Sequence, residues 1–327
     1  MDAGIDLGYF DNKFVSGDRR GSFRSIVARK PHRTGFAIAD NSGADFVLND
    51  EEGAWLIGDA AVHQRFAARS ESADWYTTPA YRRLMLANFA QLTTGTAVKM
   101  AVVTGLPVAH YQTGKAAVEA LFTGVHRVEV EGRTPQRIEV THCRVIPQPF
   151  GTVLALALTD NGKIADRTLA EGPVGVIDIG GKTTNLLSVR GFREVSDETA
   201  SVNVGGWDAA REVRDWLNVS CPGLDLRDHD LMGAIRARET WYRGERVDLA
   251  PVVDETLNTM AEAVIGSAGQ LWNGGNGLKA ILVSGGGAHL LGEHLRRRFP
   301  SARVVADPQF ANATGYYRFA VTIGARG

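Results

Sequence analysis

The stretch Asp178-Ile179-Gly180-Gly181-Lys182-Thr183-Thr184-Asn185 decides how this chain is read, because its opening has an echo near the start. The echo is Asp6-Leu7-Gly8, continuing as Tyr9-Phe10-Asp11-Asn12-Lys13. Each stretch leaves a short apolar run, Ile5 in one case and Gly175-Val176-Ile177 in the other. Each becomes apolar again, through Phe14-Val15 and through Leu186-Leu187-Ser188-Val189. The pattern is strand, tight turn, strand, with a carboxylate leading the turn. Gly180 and Gly181 leave space for a close anion. Successive amides there form a concave donor site, to which the Thr183 and Thr184 hydroxyls add. Asp178 would repel a phosphate unless a cation lay between, so its expected role is to hold Mg²⁺, through water. The Asp6 turn repeats this geometry with Lys13, a flexible point charge that reaches a β- or γ-phosphate. Asp11 either orients Lys13 or faces water. Taken alone, each turn also suits an ordinary glycine-rich hairpin with a solvated acid.

Three further places carry chemistry. Ser284-Gly285-Gly286-Gly287-Ala288 lies between an apolar strand and a helix, and its glycines let a flat nucleotide part lie against backbone. Gly205-Gly206, just before a helix, is a second candidate for nucleotide contact. Gln148 stands between Pro147 and Pro149, stiffly held, and a neutral Gln can orient a water for in-line attack on a γ-phosphate. A surface turn is the plainer reading of the same residues. Other classes lack their signatures. There is no G-x-x-x-x-G-K-[ST] run, no H-E-x-x-H, no C-x-x-C and no G-x-S-x-G elbow. The eight histidines are dispersed, and Cys143 and Cys221 are expected as buried thiols. The run Arg296-Arg297-Arg298 is expected on a solvated helix face.

Lys and Arg number 36 against 37 Asp and Glu, so net charge gives no case for gripping nucleic acid through many phosphates. A hydrophobic content of 44% with 22% charge is that of a globular protein. No apolar run reaches membrane-spanning length, the opening residues carry neither basic leader nor apolar core, and the expected compartment is the cytoplasm. Along the chain, strands are expected at Phe36-Ala37-Ile38, Ala54–Ile57, Val98–Val103 (ending in a turn at Thr104-Gly105-Leu106-Pro107), Val125–Val130 and Ile138–Val140. Helices are expected over Pro79–Leu92, Gly114–Phe122 and Gly151–Leu158, and Thr159–Gly172 is the candidate boundary between halves. Beyond it come the strand Gly175–Ile179, the helix Ala209–Leu217 with Val213, Trp216 and Leu217 on one face, and a charged insertion from Pro222 to Val253. The helix Val252–Trp272, the strand Lys279–Val283, a helix from Ala288, the strand Ser301–Val305 and a last helix after Pro308 complete the chain. Such alternation indicates α/β layers with ligands beyond the carboxyl ends of strands.

Taken in order, the Asp6–Lys13, Asp178–Asn185 and Ser284–Gly287 turns resemble the phosphate-1, phosphate-2 and adenosine motifs of the actin, Hsp70 and sugar-kinase superfamily. Val103-Thr104-Gly105-Leu106-Pro107 and Phe310-Ala311-Asn312-Ala313-Thr314-Gly315-Tyr316 are similar to the plasmid-segregation actins of the ParM (StbA) type. The resemblance implies an α/β actin-like fold of two lobes, each with a mixed five-stranded sheet flanked by helices, closing on a nucleotide cleft. It divides the chain into lobe I, 1–165, with a small subdomain at 33–75, and lobe II, 166–327, with a small subdomain at 209–273. It implies ATP or ADP and Mg²⁺ as cofactors, with Asp6 and Asp178 at the metal and Gln148, Asp178 and Asp6 as the catalytic set. Nucleotide contacts fall on Gly8, Asn12, Lys13, Gly180, Gly181, Lys182, Thr183, Thr184, Gly205, Gly206, Gly285, Gly286 and Gly287. It further implies a Mg-dependent ATPase assembling into filaments, with copies of itself and a DNA-binding adaptor as partners and no direct contact with nucleic acid or membrane. A non-polymerising ATPase of the same fold, or a small-molecule kinase, is the alternative. A kinase needs a catalytic acid at the cleft mouth, where this chain has Pro147-Gln148-Pro149.

Overall fold

The Asp6 turn does join two antiparallel strands: β1 (Asp2–Leu7) pairs with β2 (Asp11–Ser16), and Asp6 stands opposite Lys13. The computed structural model describes residues 1–31, 46–62, 64, 67–69, 72 and 74–324, so the expected strand Phe36-Ala37-Ile38 lies outside the described residues. The chain divides into two units, Met1–Arg167 with Phe310–Gly327, and Thr168–Gln309.

In the first unit β2 continues into β3 (Arg19–Arg24), β4 (Ile26–Arg29), β5 (Val47–Asp50), β6 (Gly53–Ile57) and β7 (Ala68–Arg69). Then come α1 (Pro79–Leu92), β8 (Ala97–Leu106), α2 (Val108–Phe122), β9 (Gly124–Val130), β10 (Gln136–Pro147) and α3 (Phe150–Ala157). The strands follow one path, β3-β2-β1-β8-β10-β9-β5-β6-β4-β7. Its first five form the expected mixed sheet, with β1, β8 and β10 parallel and β2 and β3 antiparallel.

Helix α1 starts where Thr78 accepts the Tyr81 N–H and Pro79 fills the first position, which needs no donor. Its Tyr81, Leu84, Met85, Phe89 and Leu92 pack on Ile5 and Leu7 of β1 and Val102 and Leu106 of β8, forming the core of this unit. Phe89 meets Phe122 of α2 edge to face at 5.9 Å.

Strand β8 runs three residues beyond the expected stop. Thr104, Gly105 and Leu106 pair with Val145, Ile146 and Pro147, and α2 starts at Val108. Gly105 therefore marks no turn. A Cβ there would lie 2.0 Å from the Tyr316 hydroxyl, so the glycine makes room for a buried ring.

The β5–β6 hairpin is tied to α1 by a clustered ion pair. The Arg83 guanidinium donates to Asp50 at 2.7 Å and to Glu52 at 2.5 Å, and lies 3.6 Å over the Trp55 ring. Trp55 Nε1 also donates to Asp50. Burial alone would raise the Asp50 carboxyl, but the hydrogen bonds from Arg83, Trp55 and the Glu52 backbone and the guanidinium charge outweigh it and hold it below the ordinary range.

The chain passes through α4 (Arg167–Glu171) into the second unit, with β11 (Val174–Ile179), β12 (Thr184–Arg190), β13 (Arg193–Glu194), β14 (Ala200–Val202) and α5 (Gly206–Ser220). Next are α6 (Asp228–Ala237), the hairpin β15 (Glu239–Tyr242) and β16 (Glu245–Asp248), then α7 (Ala250–Leu271). The unit closes with β17 (Ala280–Ser284), α8 (Ala288–Arg298) and β18 (Ala302–Val304). Its sheet has the order β13-β12-β11-β17-β18, with β14 also on β12. Here β11, β17 and β18 are parallel, and β12 and β13 antiparallel. Strand order and direction repeat those of β3-β2-β1-β8-β10, so the echo in sequence is an echo in topology.

The last helix, α9 (Ala311–Gly324), was expected with the second lobe and belongs instead to the first unit. It lies on the face of the first sheet away from α1, where a Cβ on Gly4 would come within 2.2 Å of the Ala313 carbonyl, and α3 packs beside it. The absence of side chains at Gly4 and Gly151 lets the helix lie this close. Arg296, Arg297 and Arg298 of α8 are exposed, the first two pairing with Glu293. Cys143 and Cys221 are free thiols, Cys221 buried and Cys143 partly so. No described helix is long and apolar enough to cross a membrane.

The Asp50 shift has a definite sign. A carboxyl held low stabilises the fold above its unfolded value near pH 4, and that stabilisation disappears as pH falls through the lower folded value. Asp50→Asn is expected to cost about 1–3 kcal/mol at pH 7 in urea unfolding, with the wild-type and variant curves converging below about pH 4.

Candidate functional site

In the first unit the site is built at the carboxyl ends of β1 and β10. Side chains alternate along a strand, so Asp6 shares a face with Gly4, and cross-strand pairing puts Lys13 on that face too. Asp6 is 4% exposed. Its Oδ1 accepts the Gln148 side-chain amide at 2.7 Å, and Lys13 Nζ stands 4.0 Å from Oδ2. Lys13 also donates to the Asp11 carbonyl, while the Asp11 carboxylate pairs with Arg24. Gly8 lies under this turn; a Cβ there would meet the Asp11 carbonyl at 2.7 Å, and its own carbonyl accepts the Ser25 hydroxyl. Asn12, one residue before Lys13, takes the opposite face. Its amide is fully buried, donating to Ser25 Oγ with Asn88 at 3.5 Å, so its side chain is spent inside the core.

In the second unit the same arrangement recurs at the ends of β11 and β17. Asp178 is 5% exposed and stands opposite Asn185, as Asp6 stands opposite Lys13. Ser284 Oγ donates to its Oδ1 at 3.1 Å. Gly180, Gly181, Lys182 and Thr183 form the turn, closed by Gly180 N–H to the Thr183 carbonyl. The start of α5 is laid on that turn: Gly206 N–H and Trp207 N–H donate to the Gly180 and Gly181 carbonyls. A Cβ on Gly205 would fall 2.5 Å from the Gly181 carbonyl, so the contact requires glycine. Gly285, at φ +87°, turns the chain after β17, and Gly287 N–H donates to Ile179. A Cβ on Gly286 would meet nothing within 4 Å, which leaves this backbone open to a ligand. Thr184 points away from Asp178 and is buried, its hydroxyl on the Val204 carbonyl.

Each unit thus gathers most of its expected residues around one carboxylate. Asp6, Gly8, Lys13 and Gln148 come together in the first, and Asp178, Gly180–Thr183, Gly205, Gly206 and Gly285–Gly287 in the second. Asn12 and Thr184 face inward. Among the described residues no group of three His, Cys, Asp or Glu side chains forms a metal cluster. Ser284 and Tyr316, both within motifs named from the sequence, take part in the site's hydrogen bonding beyond what their motifs implied, and one side of α5 also joins it. A pocket of about 570 Å³ opens beside Gly205, lined by Asp208, Arg211, Asp215 and Trp216 of α5 and by Thr256 of α7. Trp216 faces this pocket, whereas Val213 and Leu217 alone are buried in the core. The spacing 208, 211, 215 on a helix was the available signal.

A family model described as actin like proteins, N terminal domain, matches residues 4–151, and one described as archaeal actin homologue MreB-like, C-terminal, matches residues 176–297. No curated protein sequence matches the chain. Among solved structures, a ParM filament from Clostridium botulinum is 22% identical with a TM-score of 0.82, covering 98% of this chain and 99% of that chain. An archaeal actin homologue in complex with ADP is 20% identical with a TM-score of 0.79, and each chain is covered over 100% of its length. ParM of Bacillus thuringiensis with AMPPNP is 14% identical with a TM-score of 0.72, covering 99% of this chain and 98% of that chain. These likenesses establish the fold.

The junction of turn and helix in the second unit is held by Asp208, whose carboxylate accepts the Gly205 N–H at 2.9 Å. Asp208→Ala is expected to lower stability by about 1 kcal/mol in urea unfolding, whereas Asp208→Asn keeps most of it.

Proposed function

From the premise that this chain belongs to the actin-like proteins, we propose that it binds and hydrolyses ATP with Mg²⁺ and assembles into nucleotide-dependent filaments. The observation that carries the proposal is the repeated pairing of a buried carboxylate with a glycine turn at equivalent strand ends, Asp6 with Gly8 and Lys13, and Asp178 with Gly180 and Gly181.

The residues fit Mg²⁺. Asp6 in the first unit and Asp178 in the second are each a hard oxygen donor at the rim of a polar, glycine-lined turn, of the kind that would hold a hydrated Mg²⁺ ion. When bound, the ion neutralises charge on the β- and γ-phosphates. Lys13, beside Asp6, would supply a positive charge to a phosphate. The amides of the Gly180–Thr183 turn and the start of α5 bind phosphate oxygens. The open backbone at Gly286 supports a flat base lying against it, and the pocket beside Gly205 offers Asp208, Asp215 and Thr256 to ribose hydroxyls. Gln148, neutral and fixed between two prolines, orients the attacking water rather than deprotonating a substrate hydroxyl, which favours hydrolysis over kinase chemistry.

Filament assembly is supported by the family the chain belongs to and by a solved structure of a ParM filament with the same fold. With 36 basic and 37 acidic side chains, the chain suits the role of a polymer that moves plasmid or other DNA through an adaptor protein, without gripping DNA itself.

Asp178→Ala is expected to reduce magnesium-dependent phosphate release at least about 100-fold while circular dichroism remains that of the folded protein. Unchanged hydrolysis would remove the metal assignment. In a sedimentation assay, ATP with Mg²⁺ is expected to pellet the wild-type protein while phosphate is released. Phosphate release without pelleting would identify a non-polymerising ATPase, and phosphate passed to an added alcohol would identify a kinase.

A further inference from the structure

We infer that Tyr316 of α9 is a positioning residue for hydrolysis, acting through the Gln148 main chain without touching nucleotide. The inference rests on the reading of Gln148 as the residue that orients water. Tyr316 is fully buried, and its hydroxyl donates to the Gln148 carbonyl at 2.9 Å. The peptides on both sides of Gln148 are held elsewhere too. Gln148 N–H donates to the Leu106 carbonyl at 2.8 Å, and Gly151 N–H reaches the Gln148 carbonyl at 3.2 Å. From this fixed backbone the Gln148 side chain extends its amide to Asp6. A line of direct contacts therefore runs from α9 through Gln148 to the carboxylate at the end of β1.

The surroundings of the ring are built for this contact. Cβ atoms on Gly105 and Gly151 would lie 2.0 Å from the Tyr316 hydroxyl oxygen and 2.6 Å from its Cε1, so two neighbouring elements give up their side chains to admit it. The helix carrying Tyr316 is keyed to α3 by the Thr152 hydroxyl, which donates to Asn312 Oδ1 at 2.9 Å, and by the close approach of Gly315 to the Gly151 carbonyl. Packing alone would be met by a phenylalanine. The hydroxyl adds a hydrogen bond to the Gln148 carbonyl. Phosphoryl transfer is catalysed almost wholly by positioning and charge, and a displacement of about 1 Å costs up to about 100-fold. A donor that fixes the Gln148 main chain thus bears on the rate even though it lies beneath the site.

The test is a double-mutant cycle on the full chain, with ATP affinity, single-turnover phosphate release and Tm measured for Tyr316→Phe, Gln148→Ala and the pair, all below each variant's melting temperature. Tyr316→Phe keeps the ring and its packing. It is expected to bind ATP within about twofold of wild type and to hydrolyse it about 5- to 20-fold more slowly. In the Gln148→Ala background it is expected to slow hydrolysis no further. Equal slowing in both backgrounds would mark Tyr316 as merely structural and overturn the inference. Wild-type hydrolysis by Tyr316→Phe beside a slow Gln148→Ala would overturn it while leaving the site reading intact. Wild-type hydrolysis by Gln148→Ala would overturn the reading of Gln148 and this inference together.

Discussion

Removing a carboxylate from water at the end of a strand obliges the protein to surround it with donors, and Asp6 and Asp178 impose that obligation on the two units. Asp6 draws in the amide of Gln148 and the charge of Lys13, one from beyond the end of β10 and the other from the partner strand β2. Asp178 draws in the hydroxyl of Ser284 from the end of β17. Lys13 and Ser284 come from strands that neighbour the carboxylate's own, and Gln148 reaches Asp6 from beyond β10, one strand further along, so strand order decides which side chains can meet. The common order β3-β2-β1-β8-β10 and β13-β12-β11-β17-β18 is therefore a chemical arrangement as well as an architectural one.

Close approach of backbone is the second constraint. Helix α9 lies against Gly4 of β1, and Gly315 lies against Gly151 of α3, at separations that no Cβ tolerates. The start of α5 meets the Gly180–Gly181 turn in the same manner at Gly205. These glycines do not supply flexibility. They remove side chains where two rigid pieces of backbone must touch, and the touching fixes the geometry of the residues beside them.

Much of this was legible in the sequence. The two Asp-led turns, the glycine run after Ser284 and the placement of Gln148 were read from local pattern, because a turn between apolar runs is a short-range signal. The inward direction of Asn12 and Thr184 was also within reach: each is next to a residue that faces the site, and alternation along a strand sends neighbours to opposite faces. What could not be read was long-range. Gly105 looked like a strand end because its partner, the Tyr316 ring, lies some two hundred residues onward in the chain (roughly, by position). The assignment of α9 to the first unit depends on its fit against Gly4, which no pattern within 311–324 encodes. The pocket beside Gly205 needs α5 and α7 together and was missed for the same reason.

The return of α9 to the first unit bears on how the protein is made. Ribosomal synthesis delivers Thr168–Gln309 whole before any of α9 exists, so the second unit has its complete sheet while the first still lacks the helix that covers Gly4. Until the residues of α9 emerge, the face of β1 and β8 that it covers stays open. The maturation of Gln148's surroundings therefore waits on the synthesis of α9, after the whole second unit. A nascent chain stalled short of Tyr316 would carry a finished second unit and an unfinished first one.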